Sequence, residues 1–299
     1  MPALALLFNA LVWGLSWWPF RELQSQGLHP LWATALIFCF ALVCLLCFKP
    51  NAWRGLLQQP LLWLLMLASG LTNVGFNWAV TEGDVVRVVL LFYLMPAWVV
   101  LLAWPILSEK PSPASLLQLL IAGVGLVVVL KTPESAWPLP ESWPDWLALF
   151  GGLCFALTNI LLRKLNQTPS SARTLAMFSG CMLMALATAL LGQHLGIVSA
   201  PPAPNISWLG LTLLLSLIFL AGTLCLQYGA SRLRASNTAL IMLSEVVFAS
   251  ASSVLLGASE LSMRSLIGGA LILFAATLAA WPRTPTPITI PTQAHRDRH

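Results

Sequence analysis

Long apolar runs separated by short polar stretches organise the whole chain. Ten runs stand out, at roughly 3–20, 30–48, 61–80, 86–107, 114–131, 145–163, 174–192, 207–228, 236–257 and 264–281. Each approaches the about 20 residues that an α-helix needs to cross a hydrocarbon layer about 30 Å thick. The runs are continuous and do not alternate with period two, so they predict helices rather than the strands of a barrel. Between them lie breakers such as Lys49-Pro50-Asn51 and Glu109-Lys110-Pro111-Ser112-Pro113. Two connections are longer and proline-rich, from Lys131 to Pro144 and from Gln193 to Asn205. The first run has no basic leader and no small-x-small site after it, so it reads as the first helix rather than a cleaved signal. The pattern predicts an all-α integral membrane protein with ten transmembrane helices.

Composition agrees. Of 299 residues 58% are hydrophobic and 8% charged, with a mean hydropathy of +0.83. A soluble domain carries about 25% charged residues, so an ordinary soluble enzyme, a nucleic-acid binder and a disordered chain are excluded. The net charge of +5 comes from single bases scattered between apolar runs, where they set membrane orientation. With a cytoplasmic N-terminus the inner segments hold Lys49, Arg54, Lys110, Arg163, Lys164, Arg173, Arg232, Arg234, Arg283, Arg296 and Arg298. The outer ones hold only Arg21, Arg87, Lys131 and Arg264. Both termini are therefore expected to be cytoplasmic, with residues 282–299 a disordered polar tail. A cell inner membrane is the expected location.

The second half echoes the first. At a shift of 150, Asn77/Gln227, Trp78/Tyr228 and Thr81/Ser231 pair, and at 151 Glu109 lies on Glu260. Near the two starts a shift of 142 lays Trp13 on Phe155, Trp17 on Asn159 and Arg21 on Arg163. Two five-helix repeats follow, 1–131 and 145–281, with the proline-rich 132–144 between them as an extracytoplasmic loop. Because each repeat holds an odd number of helices, the second enters the membrane inverted, a design common in secondary transporters.

These residues resemble the ten-helix EamA branch of the drug/metabolite transporter superfamily over about 3–281. The resemblance rests on Asn9 to Trp17 (NALVWGLSW), on Leu91 to Trp98 with Leu107-Ser108-Glu109, and on Ser244-Glu245-Val246-Val247-Phe248. Gly257 to Glu260 and Gly268 to Leu273 complete it. Val246 stands where the family typically has proline, while the first repeat keeps Pro96. The resemblance implies an exporter of amino acids, other metabolites or drugs.

Glu245 is the acidic residue well inside an apolar run. A charged carboxylate at mid-membrane costs at least about 2.5–3.5 kcal/mol, so such groups usually face a cavity. It is the candidate for binding a substrate ammonium group or carrying a coupling proton, against a plain hydrogen bond between helices. The mid-helix amides Asn73, Asn77, Asn159 and Gln227 should point inward, since lipid leaves an amide without partners. Trp13, Trp17, Trp78, Tyr93, Trp98 and Tyr228 lie deep in the runs. They offer aromatic walls for an apolar or cationic solute, or simple packing. Other tryptophans, among them Trp32, Trp53, Trp63, Trp143, Trp146 and Trp208, are expected in an interfacial belt. The expected substrate site comprises Trp13, Trp17, Asn77, Trp78, Tyr93, Trp98, Asn159, Gln227 and Glu245. Arg87 is expected to pair with its neighbours Glu82 and Asp84 rather than with a substrate carboxylate.

Cys44-x-x-Cys47 lies in an apolar run away from His or acid and reads as packing. No phosphate loop, zinc spacing or nucleophile–base set occurs, so no cofactor, metal or catalytic residue is expected. Transport would run on gradients. The partners expected are a small-molecule solute and the lipid bilayer, not nucleic acid. A multidrug, sugar or nucleotide carrier of the same fold is the alternative. An intramembrane enzyme and a channel fit less well, because paired buried acids, metal ligands and a charged ring are all missing from the sequence.

Overall fold

A computed structural model describes residues 1–108, 113–131, 140–230, 232, 241–242, 244–260 and 262–280. Among them helices dominate and no strand occurs. Seven helical segments are long and apolar enough to cross a membrane: Pro2–Ser25, Pro30–Phe48, Leu61–Glu82, Val85–Leu107, Trp143–Lys164, Ser170–His194 and Ile206–Leu226. Three shorter apolar stretches, Leu116–Leu130, Ser244–Leu255 and Met263–Ala275, lie at the fifth, ninth and tenth predicted runs. The first part of the ninth run, 236–240, falls outside the described residues, as does Trp281.

In chain order the helices are α1 (Pro2–Leu15), α2 (Trp17–Ser25), α3 (Pro30–Phe48), α4 (Ala52–Gln58), α5 (Leu61–Glu82), α6 (Val85–Phe92) and α7 (Met95–Leu107). Then follow α8 (Pro113–Leu130), α9 (Trp143–Lys164), α10 (Ser170–His194), α11 (Ile206–Ala230), α12 (Ser244–Leu255) and α13 (Met263–Ala280). Two runs that read as single helices are each two pieces, with a local cause. Pro19 has no N–H to bond back to Leu15, and at Ser16 the chain tightens, with both its amide and its hydroxyl donating to the Trp13 carbonyl. Likewise Pro96 sits in the first turn of α7, where a missing N–H is tolerated, and the fourth span breaks at Tyr93-Leu94 just before it. The polar connection after α3 also contains the short helix α4, which was not anticipated.

At the centre α5 packs against α9 and α10, and α10 also against α3. Backbones meet where side chains are missing: a Cβ on Gly75 would lie 2.8 Å from the Leu147 carbonyl oxygen. On the flank, α8 and α13 pair through Gly125 and Gly268, each of which would drive a Cβ to 2.8 Å from the other's carbonyl oxygen. Apolar side chains such as Leu116, Leu120, Leu217 and Phe274 point outward in numbers that suit lipid, not water.

Tryptophans at the helix ends divide. Trp53, Trp63, Trp143 and Trp146 are exposed, as an interfacial belt requires. Trp32 and Trp208 are buried instead, because each indole N–H donates to a loop carbonyl, Ser199 and Ala203 respectively. That corrects the belt assignment for these two.

Candidate functional site

The break in the fourth span positions the site. Tyr93 is buried at that break, and its hydroxyl lies 3.4 Å from the Met242 carbonyl oxygen and pairs with the Glu245 carboxyl at the start of α12. Glu245 is half-buried, as are Met242 and Ser244 beside it. α1 runs alongside α12, with Gly14 so close that a Cβ there would sit 2.8 Å from the Glu245 carbonyl oxygen. One turn earlier Asn9, itself buried, donates its amide N–H to the Met242 sulfur at 3.6 Å, while its carbonyl oxygen has no partner among the described residues. On the facing side Asn159 of α9 reaches Met95 Sδ at 3.9 Å and also donates to the Phe155 carbonyl at 2.9 Å.

The resulting cluster at the break in the fourth span is made of the contacts of Asn9 with Met242, of Tyr93 with Met242 and Glu245, and of Asn159 with Met95. It joins a carboxyl, a phenol and two amides to two soft, adaptable thioethers. Aromatic rings support it: Phe92 stacks on Phe155 at 5.4 Å and meets Phe76 at 4.7 Å, and Trp13 stacks on Phe219 at 4.7 Å. Such a surface can hold a small amphipathic solute by one charged or polar end and one flat apolar body.

Of the nine residues expected from sequence, Tyr93 and Glu245 meet here, while Asn159 contacts Met95 two positions beyond Tyr93 and Trp13 stacks on Phe219 of α11. Trp98 is half-buried on α7, and its indole N–H has no partner among the described residues. Trp17 is buried and bonds Ser252 of α12 at 3.0 Å, with the Arg21 guanidinium over its ring. Asn77 is fully buried and donates to the Thr34 hydroxyl of α3 at 3.0 Å. Trp78 lies farther along, bonded to Glu82 at 2.8 Å and edge-on to His29 and Trp143. The side chain of Gln227 lies outside the described residues. Asn9 and Met242 were not singled out. Asn9 stands 150 residues before Asn159; carrying the 150 shift back to the two starts, where the shift of 142 lays Trp17 on Asn159, would have marked it.

A second polar cluster closes the end of the molecule where α5 stops and α6 and α9 start. Arg87 does not pair with Glu82 or Asp84 through its guanidinium. It grips Asp145 of α9 with both Nε and Nη2, at 2.9 and 2.8 Å, and its Nη1 donates to the Val129 carbonyl of α8 at 3.2 Å. Asp84 instead caps α6 by accepting the Arg87 backbone N–H. The expected pairing is thus corrected: a planar fork prefers a bidentate carboxylate across the helix interface to neighbours on its own loop. A cleft of about 550 Å³ lies above the pair, with Glu82, Asp84 and Glu141 among its lining residues. His29, at the N-cap of α3, borders the same end. Burial pushes its imidazole down to about 4, so it is neutral at pH 7, and Nδ1 accepts the Leu31 N–H at 3.3 Å. All six cysteines are free thiols, and no grouping of His, Cys, Asp and Glu among the described residues is suited to a metal.

Apolar helices long enough to cross a bilayer, with polar groups turned inward between them, define a polytopic membrane protein. Comparison with known proteins gives the class more closely. The model of the EamA-like transporter family matches residues 1–131 and 142–281, and the chain belongs to that family. It is 30% identical over 130 residues to an uncharacterized transporter of Pseudomonas aeruginosa, covering 42% of this chain and 41% of that protein. The match thus spans about two fifths of that relative's length. A solved crystal structure shares the fold with a TM-score of 0.56 at 19% identity, covering 93% of this chain and 96% of that one. Family and relative are both named for transport rather than for an enzyme activity.

Proposed function

We propose that the chain is a secondary carrier, exporting small organic metabolites such as amino acids by alternating access between two inverted five-helix halves. The observation that carries this is Glu245, a half-buried carboxyl at mid-span that faces Tyr93 across the boundary between the segments 1–131 and 142–281. An ionisable group at that depth has a function or a partner, and among the described residues its partner is a neutral hydroxyl rather than a cation. Glu245 is the group for a substrate ammonium or a coupling proton.

The packing supports two inverted repeats of five helices each. Pairing each helix of the first half with its counterpart in the second turns the α5–α9 contact into α11–α1, and α5–α10 into α11–α3; all four occur. The Asn9–Met242 and Asn159–Met95 contacts have the same reciprocity, each linking the first helix of one half to the fourth span of the other. The distribution of Lys and Arg favours both termini on the cytoplasmic side of an inner membrane.

The test is counterflow in proteoliposomes loaded with unlabelled amino acids, with and without an imposed pH gradient. A labelled amino acid should accumulate, respond to the gradient, and lose at least about tenfold in rate in Glu245→Gln. Unchanged transport and pH response in that variant would remove Glu245 from the mechanism. Silence across the amino-acid panel would withdraw amino acids as the substrate class.

A further inference from the structure

The fourth span is unevenly covered. From Val85 to Leu94 every side chain but that of Arg87 is buried, whereas from Met95 to Leu107 most are half-buried or exposed. The change falls at the break that holds Tyr93, level with the half-buried Glu245. The sealed portion is the one that ends in Arg87.

Hydrogen bonds between separate helices gather at that same end. The guanidinium of Arg87, from the first half, is held by Asp145, from the second, through two N–H···O bonds. Asp145 is 2% exposed and also accepts the Glu141 N–H at 3.1 Å. Further bridges surround the pair: Val85 N–H to Ser259 Oγ at 3.1 Å, Trp17 to Ser252 at 3.0 Å, and Arg264 to the Lys131 carbonyl at 2.8 Å. Arg21 donates to the carbonyls of Thr81 and Gly83. Of these, the Arg87–Asp145 pair is the contact between two full charges, and it ties together the starts of α6 and α9 and the end of α8.

We infer that Arg87 and Asp145 form a latch that keeps one face of the transporter shut, and that this face opens to the Glu245 site only when the pair separates. The inference rests on the alternating-access reading for its meaning but is tested without any substrate. A bidentate charged pair suits a latch because its two states are discrete: it is held with both bonds or it is released, and partial opening leaves a buried charge without its partner. Arg87 and Asp145 are positioning residues here, since neither contacts the Tyr93–Glu245 pair.

The reporter is Leu91→Cys, fully buried one turn inside Arg87 on the same helix face, in a full-length background with the six native cysteines replaced. The purified protein sits in lipid nanodiscs and reacts with a membrane-impermeant maleimide. With the latch intact, labelling should be slow. Arg87→Gln and Asp145→Asn should each raise the labelling rate about tenfold or more by shifting the population toward the open face. Arg87→Lys keeps the charge but loses the fork, and should fall between. Asp145→Asn is isosteric and still accepts the Glu141 N–H, so it reads the latch even if the glutamine variant does not fold. Parent-like labelling in folded Asp145→Asn and Arg87→Lys protein would overturn the latch. The two readings fail separately: counterflow with unaltered labelling sinks the latch alone, and latch-dependent labelling without any saturable counterflow sinks the carrier alone.

Discussion

Asp145 and Glu245 are both carboxylic acids inside helices of a lipid-embedded protein, and their surroundings differ in every respect that matters. Asp145 is sealed, gripped by an arginine fork, and accepts a backbone N–H besides. Glu245 is half-buried, and its partner is the Tyr93 hydroxyl, with no cation paired to it among the described residues. Desolvation of a carboxylate is offset by bonds to cations and N–H groups. Asp145 has that compensation in full and is fixed in one role, whereas Glu245 lacks it and is free to change partner. A site that must bind and release belongs with the second.

The sharpest way to break the comparison is to delete each acid in turn. Asp145→Ala leaves the Arg87 guanidinium largely buried without its carboxylate. Breaking a buried pair from one side costs about 3–5 kcal/mol, and with Arg87 21% exposed the low end applies. Glu245→Ala removes a group with one neutral partner and should shift stability by about 1 kcal/mol or less. Denaturation of the two variants in one detergent compares them directly. Equal losses would mean that Glu245 is as structural as Asp145.

Tyr93→Phe makes a finer cut. It keeps the ring packed on Phe92, 6.2 Å away, and takes only the hydroxyl that meets Glu245 and Met242. We expect protein of near-normal stability whose counterflow falls about tenfold or more, because one hydrogen bond to a charged group contributes about 1.5–3 kcal/mol when it is made in the working state. A variant that loses stability while its transport per folded molecule stays intact would reduce Tyr93 to a packing residue.

Much of this contrast was legible in the residues themselves. Continuous apolar runs announce helices in lipid, and Glu245 in the middle of one announces itself by cost alone. Pro96 marks the break that places Tyr93, since proline opens a helix more readily than it sits inside one. The latch was harder to see because Arg87 and Asp145 lie 58 positions apart and nearer acids offered themselves. Yet Ser142-Trp143-Pro144-Asp145 has the form of a helix start, with Ser142 Oγ accepting the Asp145 N–H at 3.4 Å. That start would have put Asp145 at the same membrane face as Arg87, once the spans between them were counted. The inward turn of Trp17, Asn77 and Trp78 was anticipated, but not whether they look into a shared cavity or into a neighbouring helix. That depends on partners such as Ser252 and Thr34, which only the packing identifies.

The smallest expected effect concerns His29, beside the latch and outside the spans. Its imidazole is held down to about 4, against 6.5 for the free group, because burial disfavours the charged form. Glu82 Oε1 lies 3.9 Å from Nε2. The sign follows from which state binds the proton. As pH falls below 6.5 the unfolded chain protonates this histidine and the folded one does not, so stability is full above 6.5 and declines as pH drops toward 4. The loss should reach on the order of 1–2 kcal/mol at the acid end. His29→Asn keeps an N-cap acceptor for the Leu31 N–H and cannot be protonated, so its melting temperature should be flatter than the parent's between pH 6.5 and 4. If both proteins lose stability in parallel over that window, the acid sensitivity lies elsewhere, and His29 is a neutral cap and nothing more.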